Sequence, residues 1–187
     1  MVYQAYRPSI GEAAARDGKL GAGGFKRERM SWIKPNFLWM MYRCGWGTKE
    51  GQEVVLAFGL QREGFDAILS EAVHSEYVEA VYGTRERWEE RVRGSSVRLQ
   101  WDPDHDPKGA KLDRRAIQLG LRGRALERFV DEWTIWIEDI TPFVAEQREL
   151  VGTDDLVTPT ERVYPVLDPG SARRLGVDEW SDHDEKS

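Results

Sequence analysis

Apolar and polar positions divide the chain into short alternating runs and longer amphipathic ones. Val2–Tyr6 alternates β-forming side chains and stops before Pro8, which predicts a strand. Ser9 is placed to cap a helix through IGEAAARD, ended by Gly18. Four glycines between residues 18 and 24 make a loop. RMSWI is a short strand. Pro35 suits the first turn of a helix to Cys44, stopped by Gly45 and Gly47, with Phe37, Met40 and Met41 on one face. Glu53–Gln61 and Ser96–Trp101 are strands, and between them GFDAILSEAV starts a helix that continues with breaks through SEYVEAVYG. RERWEERVR fits an amphipathic helix or an extended segment equally. After the polar turn DPDHDPKGAKL, Arg115–Leu121 is a strand. The run from Arg124 to Leu150 has helical caps and spacing, interrupted at Pro142, and ERVYPVL is a final strand.

Strands of hairpin type mixed with helices, rather than a regular βαβ alternation, give an α+β class. The expected domain is residues 1–167, followed by an acidic tail of low order over 168–187. No repeat interrupts this plan.

Charge changes the picture in one respect. The chain of 187 residues has a net charge of −6, which disfavours unspecific binding to duplex nucleic acid. Yet residues 26–49 hold six Lys or Arg against Glu28 alone, and Arg114–Arg128 holds five Arg against Glu127 alone. A basic pocket inside an acidic protein is therefore open to this chain. The single cysteine, Cys44, excludes an internal disulfide, and no run is long and apolar enough for a membrane span. MVYQAYRPS lacks the charged start and apolar run of a secretory signal, so a cytoplasmic, reducing setting without membrane contact is expected.

Candidate chemistry is sparse. One Cys and three scattered His exclude a zinc site. Asp102, Asp104, His105 and Asp106 offer metal donors, but two prolines and the wrong spacing for a calcium loop favour a solvated turn, so no metal is expected. Cys44 beside Arg43 has no histidine partner in the pattern and reads as a buried, inert thiol. GKLGAGGFK matches neither the Walker pattern nor a dinucleotide fingerprint. SWIKPNFLWMMYRCGWG is different. Trp32, Trp39, Tyr42 and Trp46 with Lys34 and Arg43 either stack bases and neutralise phosphates or form a core stripe with a snorkelling arginine. Gln118, between Ala116 and Gly120 on its strand face, either meets solvent or leaves room for a ligand.

VYQAYRPSIGEAAARDGKLG, RMSWIKPNFLWMMYRCGWGTK and DRRAIQLGLRG resemble the family catalogued as domain of unknown function 4291, over roughly residues 2–167. A more distant resemblance is to the ADP-ribosyltransferase fold. A first strand and helix, a second strand leading into an aromatic helix, and a late strand occur in the same order. That resemblance implies a mixed, mainly antiparallel split sheet with flanking helices, and NAD as cofactor. It puts Gln4, or Arg7 in a shifted register, at the first motif, with Ala5 offering backbone groups to the nicotinamide amide. Ser31 or Trp32 takes the second motif. Tyr42 or Trp39 is the ring that stacks, with Arg43 turned to the nucleotide. The catalytic carboxylate position falls at Gln118, and the strand carries no Glu. A neutral amide can bond a ribose hydroxyl but supplies no charge to an oxocarbenium-like transition state.

The expectation is an NAD-binding domain that transfers ADP-ribose to a nucleic acid or small molecule. The alternative is a non-catalytic module for single-stranded nucleic acid or a nucleotide. A third reading, a partner-binding protein whose tryptophans are simply core, predicts no response to small ligands. Oligomeric state and acceptor are open.

Overall fold

The computed structural model describes residues 1–177. Seven strands form two sheets. β1 (Val2–Tyr6), β3 (Val54–Leu60) and β7 (Thr134–Asp139) make an antiparallel sheet with β3 in the middle. β2 (Ser31–Ile33), β6 (Lys111–Leu121), β5 (Val97–His105) and β4 (Ala72–His74) make the second, in which only β4 runs parallel to its neighbour. One bridge joins them. Tyr3 and Lys34 exchange both backbone hydrogen bonds, at 2.8 and 3.1 Å. The fold is thus mixed α+β, with two mostly antiparallel sheets and flanking helices.

Period-2 alternation explains the layers. Val2, Leu56 and Phe58 turn inward and meet Ile33, Leu99, Leu119 and Leu121 of the second sheet, with Ile68, Leu126, Phe129 and Trp133 closing this core. Each such side chain, fully buried, contributes about 1.5–3 kcal/mol. The opposite face of the first sheet, with Tyr3, Val55 and Ala57, is covered by Phe37, Met40 and Met41 of α2 (Phe37–Cys44).

The remaining helices are α1 (Pro8–Asp17), α3 (Arg62–Glu71), α4 (Glu79–Tyr82), α5 (Arg85–Gly94), α6 (Gly123–Arg128), α7 (Thr141–Arg148) and α8 (Pro169–Leu175). RERWEERVR is helical, as α5. Thr84 caps it, and Arg98 and Arg122 donate to carbonyls of Val92 and Ser95 at its C-terminus, where cations suit the helix dipole.

Several expectations need correcting. Arg7, not Ser9, is the cap residue of α1. The Ser9 hydroxyl instead donates to the carbonyl of Gly23 at 2.9 Å, pinning the glycine loop. At Gly23 (φ 65°) a Cβ would stand 1.7 Å from the Ser9 carbonyl oxygen, so only glycine allows this approach. α2 starts later than Pro35, because the Asn36 side chain accepts from Trp39 N–H at 2.7 Å.

The helix expected to continue with breaks from GFDAILSEAV through SEYVEAVYG ends at Glu71, gives way to β4 and returns only as α4. DPDHDP is not all turn: β5 reaches His105, and only Asp106–Gly109 reverses the chain, with Asp106 Oδ1 accepting from Lys108 and Ala110 N–H. The long helical run breaks into α6, a π-turn (Phe129–Trp133), β7 and α7. Pro142 begins α7 rather than interrupting a helix. ERVYPVL forms no strand. It crosses the surface as a strap, with Tyr164 OH donating to Asp66 at 2.7 Å and its ring packed on Phe65. The segment from Asp168 is not a loose tail at its start: Ala172 and Leu175 of α8 are buried, and the Leu175 carbonyl accepts from Trp101 Nε1 at 2.8 Å. The acidic residues 178–187 lie outside the described residues.

Candidate functional site

Beyond the Tyr3–Lys34 bridge β1 and β2 part, and the gap between their edges opens into a cleft of about 350 Å³. Backbone geometry sets its first wall. Opposite Ala5, Val55 gives its carbonyl to Ile140 N–H and its N–H to Thr141 Oγ1, both on the far side of β3. The pair Ala5–Val55 is therefore the non-hydrogen-bonded kind, and the N–H and C=O of Ala5 point outward into the cleft.

The cleft floor is a closed ring of hydrogen bonds. Gln4 and Tyr6 share the inner face of β1, and Ser31 opens β2. Gln4 Nε2 donates to Ser31 Oγ at 2.8 Å and to the Trp32 carbonyl at 3.1 Å. That carbonyl only accepts, so the amide orientation of Gln4 is fixed. Tyr6 OH donates to Gln4 Oε1 at 3.0 Å, and Ser31 Oγ lies 3.0 Å from the same phenol oxygen, so its hydroxyl can close the cycle. Gln4 is 2 % exposed, where an unpaired amide would be costly. Burial holds the Tyr6 phenol far above its ordinary pKa, opposed by its bonds to Ser31 and Gln4. It is a neutral donor.

Charged groups line the cleft as well. Lys34 is half-buried, donates to the Trp32 carbonyl at 2.9 Å and stands 5.9 Å over the Trp39 ring. Burial, and then the neighbouring Arg43, lower its pKa to about 8. Arg29 and Arg43 complete the rim. The lining contains Lys34, Arg29 and Arg43 and no Asp or Glu, and none of the three makes an ion pair with a described residue.

Of the residues expected at the site, Gln4, Ala5, Ser31, Trp32 and Arg43 come together here. The others do not line the cleft. Arg7 reaches the Gly24 carbonyl at 3.5 Å on the exposed side of the loop. Trp39 is buried beneath Lys34. Tyr42 faces the β5–β6 hairpin: its hydroxyl donates to the Pro107 carbonyl at 3.1 Å, and its ring lies 5.1 Å from that of His105. Gln118 donates to Asp102 Oδ2 at 2.8 Å across the hairpin.

The basic runs also scatter. Arg27 and Lys19 pair with Asp131, Arg114 pairs with Asp104, and Arg115 covers Trp101; of the cations in 26–49 and Arg114–Arg128, Arg29, Lys34 and Arg43 line the cleft. Tyr6, Met30, Met40 and Gln52 line it without having been singled out. Tyr6 had a signal, two residues from Gln4 on the same strand face. Met30 and Gln52 had none, because their place depends on how loops return.

Cys44 is buried, and desolvation raises its thiol pKa, as suits an inert packing residue. Among the described residues no group of three or more His, Cys, Asp or Glu is arranged to hold a metal, and no helix is long and apolar enough to cross a membrane.

No curated protein and no solved structure matches the chain. The sequence model of one family, described as Domain of unknown function (DUF4291), matches residues 1–164. With that match covering most of its length, the chain belongs to the DUF4291 family.

Proposed function

We propose that the cleft binds an anionic nucleotide of the nicotinamide dinucleotide kind. One observation carries this reading: three cations and no carboxylate line a cleft in a chain whose net charge is −6. A diphosphate meets Lys34, Arg43 and Arg29, where charge-assisted hydrogen bonds are strongest. The outward N–H and C=O of Ala5 match a carboxamide, which has one acceptor and a donor pair. Trp32 offers an aromatic wall. The layout of β1, β2 and α2 around this cleft supports the resemblance to ADP-ribosyltransferases.

The lining favours binding over transfer. Cleavage of a glycosidic bond to nicotinamide develops positive charge on the ribose, and no carboxylate in the cleft meets it. Gln118 is tied to Asp102 outside the lining. A transferase reading requires Gln118 to reach the bound ribose, whereas a nucleotide-binding module requires nothing further.

Isothermal titration separates these. ADP-ribose and NAD are expected to bind, adenosine to bind at least tenfold more weakly, and nicotinamide to stay uncleaved on chromatography. Equal affinity for adenosine and ADP-ribose rejects the phosphate-binding role. Release of nicotinamide that Gln118→Ala abolishes would restore the transferase.

A further inference from the structure

We propose that Lys34 is a reactive amine that captures a phosphorylated aldehyde as an imine. The observations are geometric. Lys34 opens onto a ligand-sized cleft, half-buried, and its side-chain nitrogen donates to the Trp32 carbonyl. No carboxylate among the described residues pairs with it, so its proton is held only by the Trp32 carbonyl and the face of the Trp39 ring. A desolvated lysine beside a second cation is the arrangement that makes an amine nucleophilic near neutral pH, and Arg43 is that cation. Arg29 and Arg43, free of ion pairs with described residues, are placed to take the phosphate. The neutral donors Tyr6 and Gln4 line the same cleft.

The chemistry balances without an oxidant or reductant. The lysine lone pair forms a bond to the carbonyl carbon, and the C=O π electrons move to oxygen. The carbinolamine oxygen gathers the protons lost from nitrogen and leaves as water, giving C=N. With a pKa of about 8, about half of Lys34 is neutral at pH 8, against roughly one in three hundred for an ordinary lysine.

The inference uses the same cleft as the proposed nucleotide site but requires no nicotinamide dinucleotide, so the two fail separately. The test treats the protein with pyridoxal 5′-phosphate at pH 8, reduces with borohydride and maps adducts by mass spectrometry. The expected result is one adduct per chain, at Lys34, forming at least tenfold faster than at Lys19, Lys26, Lys49, Lys108, Lys111 or Lys186. Inorganic phosphate should suppress it, and pyridoxal lacking the phosphate should react about tenfold more slowly, the loss of one charged contact. Lys34→Arg should remove the fast adduct. The comparison among lysines of the unaltered chain stands even if that variant does not fold. Labelling spread over the surface with Lys34 no faster than the rest, or labelling indifferent to the phosphate, overturns the proposal.

Discussion

Lys34 is the residue on which the chemistry of the cleft turns. With a pKa of about 8, its amine changes charge between pH 7 and 9. Burial pushes the Tyr6 phenol and the nearby Cys44 thiol upward. The sign follows. An anion binds the protonated amine better, so ADP-ribose affinity should fall as pH rises through about 8, by about tenfold if one of three charge-assisted contacts is lost. Titrations at pH 7.0 and 9.5 measure this, and in Lys34→Met the difference should vanish. The identity of such residues was partly legible. Gln4, Ala5, Ser31 and Trp32, which the resemblance singled out on two strands, do line one cleft. Trp39 and Tyr42 do not: one helical turn decides whether a ring faces the cleft, the core or the β5–β6 hairpin, and that rotation is set by contacts with Asp104, Pro107 and Glu161, all distant in sequence.

At the scale of elements, α2 shows why the boundary matters. Its first turn is held three ways: Asn36 accepts from Trp39 N–H, Glu161 Oε1 accepts from Phe37 N–H, and the Asn36 amide reaches Asp104 and Glu161. Asn36→Ala should cost about 1–2 kcal/mol in urea denaturation, at the upper end for a cap because two distant acceptors lose a donor as well. A loss below a few tenths of a kcal/mol would mean the cap carries little. Elements with their own punctuation were legible: β1 before Pro8, α2 before Gly45, β3, and the pairing strands β5 and β6. β7 was not. Thr134–Asp139 sits between helical stretches and lies on a sheet edge, with Ile135 63 % and Trp136 40 % exposed, so it lacks the alternation of a half-buried strand. Its strand state comes from β3, some seventy residues earlier, where Gly59 leaves room for the Trp136 indole.

For the whole molecule, the α+β class followed from the mixture of elements and the split, flanked sheet only from the resemblance, while the far end of the domain followed from neither. Composition marked everything from Asp168 as tail. Only the tertiary contacts show that Leu175 fills the core, that Trp101 donates to its carbonyl, and that Arg174 reaches the carbonyls of Ala72, Leu69 and Ser70 at the end of α3. Leu175→Ala should therefore destabilise the protein by about 2–5 kcal/mol in chemical denaturation, the cost of a core cavity rather than of a surface change. An effect under 0.5 kcal/mol would place α8 outside the cooperative fold. This packing also bears on the cleft. Among the described residues one backbone bridge, Tyr3 with Lys34, joins the two sheets, and the core they share behind it supports the edges of β1 and β2.

The most direct test of the central claim is a tryptophan-fluorescence titration with ADP-ribose at pH 7, using the parent protein and Lys34→Met/Arg43→Gln. Trp32 lines the cleft and Trp39 lies beneath Lys34, so a bound ligand changes their emission. The account predicts a saturable change in the parent and a loss of affinity of at least tenfold in a folded double variant. No saturable response in the parent, or the same affinity in both proteins, would contradict it.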